Sequence, residues 1–382
     1  MSAGLQFKNG FKAHLVPAKF LIFPSLQLVT IALILQGAGH VWIGAALFSS
    51  LALACDWIPD TSKVEELADL KYSGPPILYT SALLQLVLVL CVFWVLGTQE
   101  VTLLHVIGAA ATLGVFNGAA GGNLAHEFMH RLNRLDVTIA RALSAMALHS
   151  TFAIDHINTH HIESTRLHDS ASANRGQNFW AFAVHSFLAS NRNAAISERK
   201  RLAHRKMRVV SLSNRALLGH GFEIIYLATA GYLAGLPGFL AAIGGGVISV
   251  ILIEGFNYIA HYGLIRTDTG PYEPRHAWST RRVISSGFTF NITQHSQHHL
   301  HPGWHFWEIE AQPDMPVLPL GPSLLSAIAA IPPVWHRYMR PHLERWDRDY
   351  ASPEELRLRD SLFAAGLKRE PRDQPPSPEA SG

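Results

Sequence analysis

Six apolar runs mark this chain, near Phe20–Gln36, Val41–Trp57, Pro76–Leu96, Val101–Gly118, Ala216–Leu236 and Pro237–His261. A helix needs roughly 20 apolar residues to cross a hydrocarbon core, and each run approaches or exceeds that length. The runs pair as three hairpins turning near Gly37–His40, Gly97–Glu100 and Gly235–Gly238, and none of those turns carries Lys or Arg. The polar segments, Arg131–Arg215 and Ile265–Gly366, fall at the other ends. One such run would fit a buried helix of a soluble protein. Six of them, joined by charge-poor turns, predict an all-α integral membrane protein, a six-helix transmembrane bundle. The positive-inside bias then puts the N-terminus, the long polar segments and the C-terminus in the cytoplasm.

Glycines recur at positions 108, 114, 118, 121 and 122 and again from Gly244 to Gly246. Close helix packing through small residues explains them; room for a substrate channel is the sharper alternative. The basic stretch Arg199–Arg208 suits a solvated helix face beside an anionic membrane surface, with an acidic protein partner as the second reading. Residues 1–366 read as one membrane-embedded domain, and the Pro- and Ser-rich tail, 367–382, as disordered.

Composition agrees with a membrane protein. Hydrophobic residues make up 48% of the 382 positions and charged residues 15%, against about 25% charged in an ordinary soluble chain. A net charge of +3 makes no case for nucleic acid. No cleavable signal is expected, because the run after Lys8, Lys12 and Lys19 lacks a small-residue cleavage site. Cys55 and Cys91 are the only cysteines, too few for a four-thiolate site, so a bound metal falls to His and carboxylates.

Histidine, with 22 copies, is the outlier, and nine of them form four clusters: His126 and His130; His156, His160 and His161; His261; and His295, His298 and His299. Helix neighbours three or four residues apart share a face, so His126 and His130 point one way. His156 and His160 do likewise, with His161 turned aside, and the fourth cluster shares a face. In the predicted topology all nine fall on one side of the membrane. Nine imidazoles exceed one ion's needs, so two are implied, and a redox metal that keeps open positions suits them better than a structural zinc. His-Glu-x-x-His alone also fits a zinc protease with Glu127 as base, but that leaves seven histidines unexplained. Axial haem ligation fits poorly with histidines at or past the ends of the runs. A metal transporter would need polar residues along the spans, and few are present.

The four clusters, in this order, resemble the membrane-bound alkane monooxygenases, in the wider group of integral-membrane, histidine-rich desaturases and hydroxylases. The family pattern runs His-Glu-x-x-His, Glu-His-x-x-Gly-His-His, Asn-Tyr-x-Glu-His-Tyr-Gly, Leu-Gln-Arg-His-x-Asp-His-His. Here His126 and His130 match the first motif, and His156, His160 and His161 the second. Asn257, Tyr258, His261, Tyr262 and Gly263 match the third, and His295, His298 and His299 the fourth. The stretch Asp169–Phe182 also looks like the family's segment after its second motif. Asp155 stands for a Glu, Thr159 for a Gly, Ala260 for a Glu, Ile292-Thr293-Gln294 for Leu-Gln-Arg and Gln297 for an Asp.

The resemblance implies a cytoplasmic helical cap holding two non-haem iron ions on the nine histidines, with O₂ as co-substrate and no catalytic residue beyond the ligands. It implies hydroxylation of the terminal methyl of an alkane or similar hydrophobic substrate drawn from the bacterial inner membrane. A rubredoxin or ferredoxin-type donor and its reductase would supply the electrons. Alkyl-aromatic methyl hydroxylation and fatty-acyl desaturation are the alternatives within the group. Glu127, Asp155, Glu163, Asp169, Glu254 and Asn257 are the candidates to orient the imidazoles from behind.

Overall fold

The computed structural model describes residues 18–57, 73–280, 282–309 and 314–364; the tail 367–382 lies outside them. Among the described residues the chain is helical, apart from an isolated bridge between Ser279 and Val317. In chain order the helices are α1 (Ile22–Ile34), α2 (Val41–Trp57), α3 (Gly74–Thr98), α4 (Leu103–Met129) and α5 (Arg134–Met146). Next come α6 (residues 152–163), α7 (Phe179–His204), α8 (Arg215–His261), α9 (Val283–Phe288) and α10 (His295–Leu300). The last are α11 (Pro322–Ala329), α12 (Pro332–Asp349) and α13 (Pro353–Ala364). Four helices are long and apolar enough to cross a membrane: α2 with the turn before it, α3, α4 and α8. The apolar helix α1 is shorter.

The 47 residues of α8 would span about 70 Å if straight, over twice a hydrocarbon core of about 30 Å. They do not run straight, because Gly235 breaks the helix at φ 57°, ψ −149° and Pro237 follows. On the first arm, Tyr226 meets Asn117 of α4 at 3.3 Å. On the second, Ser249 donates to the Gly114 carbonyl, one turn away on α4, at 3.0 Å. Residues on either side of Gly235 thus return to the same level, so the arms are antiparallel. The break falls inside the turn expected at Gly235–Gly238.

The second arm runs parallel to α4. A Cβ on Gly244 would meet Ala110, one on Gly114 would meet Ile248, and one on Gly118 would meet Leu252. Glycines from both helices face one another here, which is the close packing their recurrence predicted. Three side chains stitch the bundle internally. Gln27 of α1 donates to Gln85 of α3 at 2.9 Å, and Gln85 to Asn117 of α4 at 2.7 Å. All three amides are fully buried, where an unpaired one would be costly.

The ends of α4 and of the second arm carry the site, and the later helices close over it. Tyr258 and Tyr262 pack with Trp278, Trp335, Met339 and Trp346 in a second core that fastens α12 to the end of α8. Asn133, Asn178 and Asn214 accept backbone N–H groups at the starts of α5, α7 and α8, the favoured N-cap chemistry.

Candidate metal centre

The helix carrying the first cluster does not stop near Gly118 as its apolar run does. A π-helical turn at Ala120–Leu124 carries it through Gly121 and Gly122 to Met129. His126 therefore sits on the helix itself, and His130 on its last, capping residue. A second π-helical turn spans His156–His160 within α6. His261 is the last residue of α8, and α10 supplies the final three histidines. Single π-turns inside α-helices are frequent at functional sites.

The nine imidazoles gather into two groups. His126, His130, His156, His161 and His298 form one; His160, His261, His295 and His299 form the other, and within each the donor atoms lie within 4.8 Å of one another. Seven of the nine are buried, with His130 and His161 half-buried. This sorting differs from α-helical geometry, which pairs His156 with His160. A π-turn advances by more than four residues, so it brings His156 and His161, five apart, to one side and turns His160 to the other. On α10 the four-residue step keeps His295 with His299, while His298 swings to the first group.

The nitrogens converge closely. Nε2 of His156 lies 2.8 Å from that of His126 and 3.0 Å from that of His161, and His161 Nε2 lies 3.0 Å from His298 Nε2. The His298 and His126 rings, 4.2 Å apart, close the circuit. His130 stands 4.8 to 5.6 Å from all four rings, as an apex over a square base. In the second group His295 Nε2 lies 3.0 Å from that of His261 and 3.1 Å from that of His299. His160 stands across from His295, 6.5 Å away and nearly parallel. The groups adjoin, with the His161 and His299 rings 4.5 Å apart.

Neutral imidazoles cannot satisfy one another lone pair to lone pair, and Nε2 of both His130 and His160 is buried without a hydrogen-bond partner. A cation in each group resolves both. Two imidazole nitrogens about 2.1 Å from one metal lie roughly 3.0 Å apart at a right angle and roughly 3.4 Å at the tetrahedral angle. The observed 2.8–3.1 Å edges are short enough for neighbouring nitrogens to share one cation.

Electrostatics keep most of these rings in the ligating form, since a metal needs neutral imidazole. Burial, then Arg131, lowers His130 to about 4. Burial and the neighbouring imidazoles hold His156, His161, His298 and His299 well below the ordinary value. His160 departs from them: burial acts to lower it, but Asp169 outweighs this and raises it.

Behind the rings, the Asp169 carboxylate accepts from His160 Nδ1 at 2.9 Å. It is held in turn by the Ala171 N–H and the Ser172 hydroxyl. The other expected supports lie elsewhere. Glu127 accepts from Arg131 and from the Phe306 N–H. Glu163 faces Arg166 at 3.5 Å. Glu254 accepts from His149 at 3.0 Å and from Asn257 at 3.2 Å. Asp155 is buried with Oδ1 unpartnered, and burial pushes it up to about 7. His301 and His305 stack on Trp304 and Trp307, outside both groups.

Two contributors escaped the sequence. The backbone carbonyl of His276 accepts from His261 Nδ1 at 3.1 Å, and the His276 ring meets Glu355 of α13 at 2.6 Å. Tyr272, its ring 5.0 Å from His299, stacks on it at 23°. Neither has a spacing relation to the clusters; only Ser172, within the Asp169–Phe182 likeness, carried a signal.

Comparison with known proteins gives the family. Alkane 1-monooxygenase 2 of Alcanivorax borkumensis is 27% identical over 249 residues, 64% of this chain and 65% of that protein, so the match spans just under two thirds of that relative. The xylene/toluene monooxygenase hydroxylase component of Pseudomonas putida is 29% identical over 335 residues, 84% of this chain and 88% of that one. Alkane 1-monooxygenase of Ectopseudomonas oleovorans is 27% identical, covering 86% of this chain and 82% of its own. The fatty acid desaturase family model matches residues 102–316, from the start of α4 past the last histidine cluster. With that match covering more than half its length, the chain belongs to the fatty acid desaturase family, and its similarity reaches the alkane and xylene hydroxylases.

Proposed function

We propose that this chain is an O₂-dependent monooxygenase that hydroxylates the terminal methyl of an alkane or similar hydrophobic substrate, using two non-haem irons. The observation that carries the reading is the division of nine imidazoles into adjoining groups of five and four whose neighbouring Nε2 atoms lie about 3 Å apart. His126, His130, His156, His161 and His298 would hold one iron, and His160, His261, His295 and His299 the other. When bound, such a pair supplies the activation of O₂ by which one oxygen atom enters a C–H bond and the other leaves as water.

The chain's own residues prepare that chemistry. Asp169 and the His276 carbonyl each accept an Nδ1–H, which fixes the tautomers of His160 and His261 and aims their Nε2 lone pairs inward. Burial of seven rings excludes bulk water. With two cysteines the chain holds no iron–sulfur donor, so electrons come from a rubredoxin or ferredoxin and its reductase. Six crossings, with α1 and the two arms of α8 counted, form one domain over residues 1–366 in the bacterial inner membrane. Both termini and the helical cap over the site are cytoplasmic. A methyl group on an aromatic ring is the second reading, favoured by the 88% coverage of the xylene/toluene relative.

Detergent-purified protein should contain two irons per chain, and His160→Ala or His299→Ala should lower that content. Turnover of n-alkane and alkyl-aromatic probes under ¹⁸O₂ should give labelled primary alcohol. Unlabelled alkene would replace hydroxylation by desaturation, and a single zinc would remove the metal assignment.

A further inference from the structure

Residues 199–212, linking the body of α7 to the start of α8, combine two features that a water-facing loop seldom shows together. Arg199, Lys200, Arg205, Lys206 and Arg208 are exposed and make no ion pair among the described residues. Arg201 and Arg215, by contrast, are taken up by the buried carboxylate of Glu198. Among the free cations stand bare aliphatic side chains: Val210 is 84% exposed and Leu212 85%, with Met207 and Val209 also exposed.

The loop is built rather than slack. Lys206 adopts the left-handed conformation, φ 54°, and the N–H groups of Lys206 and Met207 close α7 on the carbonyls of Ala203 and Leu202 at 3.0 and 2.9 Å. The Asn214 side chain donates to the Val209 carbonyl at 2.9 Å while capping α8. This framework presents Val210 and Leu212 outward, five and three residues before the first arm of α8. That arm carries on the apolar surface through Leu217, Ile224 and Ile225, all exposed.

We propose that this loop is a membrane anchor specific for anionic phospholipid. Val210 and Leu212 insert at the bilayer boundary, and the five free cations bind anionic headgroups around them. Apolar side chains flanked by Lys and Arg are the composition by which interfacial segments hold an anionic surface. A dock for an acidic protein would account for the cations but not for two bare aliphatic tips continuous with a lipid-facing arm. The inference rests on α8 crossing the membrane and not on the chemistry of the site.

The test uses the full chain in nanodiscs of phosphatidylcholine with or without phosphatidylglycerol, with an environment-sensitive fluorophore on Val210→Cys or, as a reference for the crossing, on Ile224→Cys. The Val210 probe should report an apolar setting, strengthened by phosphatidylglycerol and quenched by lipids spin-labelled near the headgroup. In native mass spectrometry the exposed-site variant R205Q/K206Q/R208Q, with its metal content as a folding control, should lose bound phosphatidylglycerol about fivefold per removed charge. A water-like signal at Val210 with an apolar one at Ile224 overturns the anchor alone; water-like signals at both remove the crossing and the anchor with it. Unchanged phosphatidylglycerol retention in the triple variant, or loss only of an acidic electron donor's binding, overturns the lipid assignment.

Discussion

His160 has a carboxylate behind it, 2.9 Å from Nδ1, and that bond decides which nitrogen faces the four-histidine group. Removing an acceptor of this kind costs about 10–100-fold in metal affinity. Asp169→Ala should therefore weaken one metal and spare the other, since Asp169 supports His160 and the five-histidine group has its own donors. Titration with a chelator, followed by metal counting, should show one ion per chain leaving about 10–100-fold more easily than in the unaltered protein. Simultaneous loss of both ions, or of neither, would contradict separate groups. At this scale spacing singled out eight of the nine imidazoles among 22 histidines, and the lone His261 was marked by its place at the end of an apolar run and by its Asn-Tyr-x-x-His-Tyr-Gly motif. The sequence could not sort them: α-helical geometry pairs His156 with His160, and the π-turn that pairs His156 with His161 has no signature in His156-Ile157-Asn158-Thr159-His160. Nor could it find the His276 carbonyl, because a backbone acceptor leaves no trace in residue identity.

At the scale of elements, two joints invite measurement. Gly235 holds φ 57°, ψ −149°, a region essentially closed to residues with a Cβ, where strain costs about 1–3 kcal/mol. Gly235→Ala should destabilise the chain by that amount in denaturant unfolding from micelles, with no change in metal stoichiometry of the folded fraction. An unshifted midpoint would mean the arms do not depend on this break. The other joint is Glu198, fully buried, which accepts from Arg201 at 2.8 and 2.6 Å and from the Arg215 N–H at 2.7 Å, tying α7 to α8. Burial pushes its carboxyl up, but the bonds from Arg201 and Arg215 outweigh that and hold it at about 2, below the ordinary value of about 4.3. A depressed carboxylate stabilises the fold fully above its unfolded pKa and loses that contribution as pH falls through its folded one. The unaltered chain should therefore be more stable than Glu198→Gln at pH 7, and the gap should close between roughly pH 5 and pH 2. A gap constant across that range would show that the charge is irrelevant to the joint. The long elements were legible because apolar runs announce them, and the turn at Gly235–Gly238 because Gly and Pro do. The continuation of α4 to Met129 was not, since Gly121 and Gly122 read as an end but are absorbed by a π-turn.

At the scale of the whole molecule, direction matters most. The helix α4 and the second arm of α8 run parallel, with residues 110, 114 and 118 beside 244, 248 and 252, and both end in histidines of the site. The connections at the opposite end, 35–40, 99–102 and Gly235, carry no Lys or Arg, whereas Arg131, Arg134, Arg199–Arg208 and Arg275 all lie past the histidine-bearing ends. Among the described residues these basic side chains thus collect on the site's side, the side that the proposed topology puts in the cytoplasm by the positive-inside bias. The electron donors proposed for the reaction would be cytoplasmic, so the proposed topology and the proposed chemistry make the same demand. Gly39 lies in a charge-poor turn where a Cβ would meet nothing within 4 Å, and Ser361 is exposed on α13. In intact cells an impermeant maleimide should label Gly39→Cys and spare Ser361→Cys, and opening the inner membrane should make Ser361→Cys reactive. Labelling of Ser361→Cys in intact cells would put the site on the outer face, beyond reach of a cytoplasmic reductase. The proposed monooxygenation would then fail for want of electrons even with every imidazole in place.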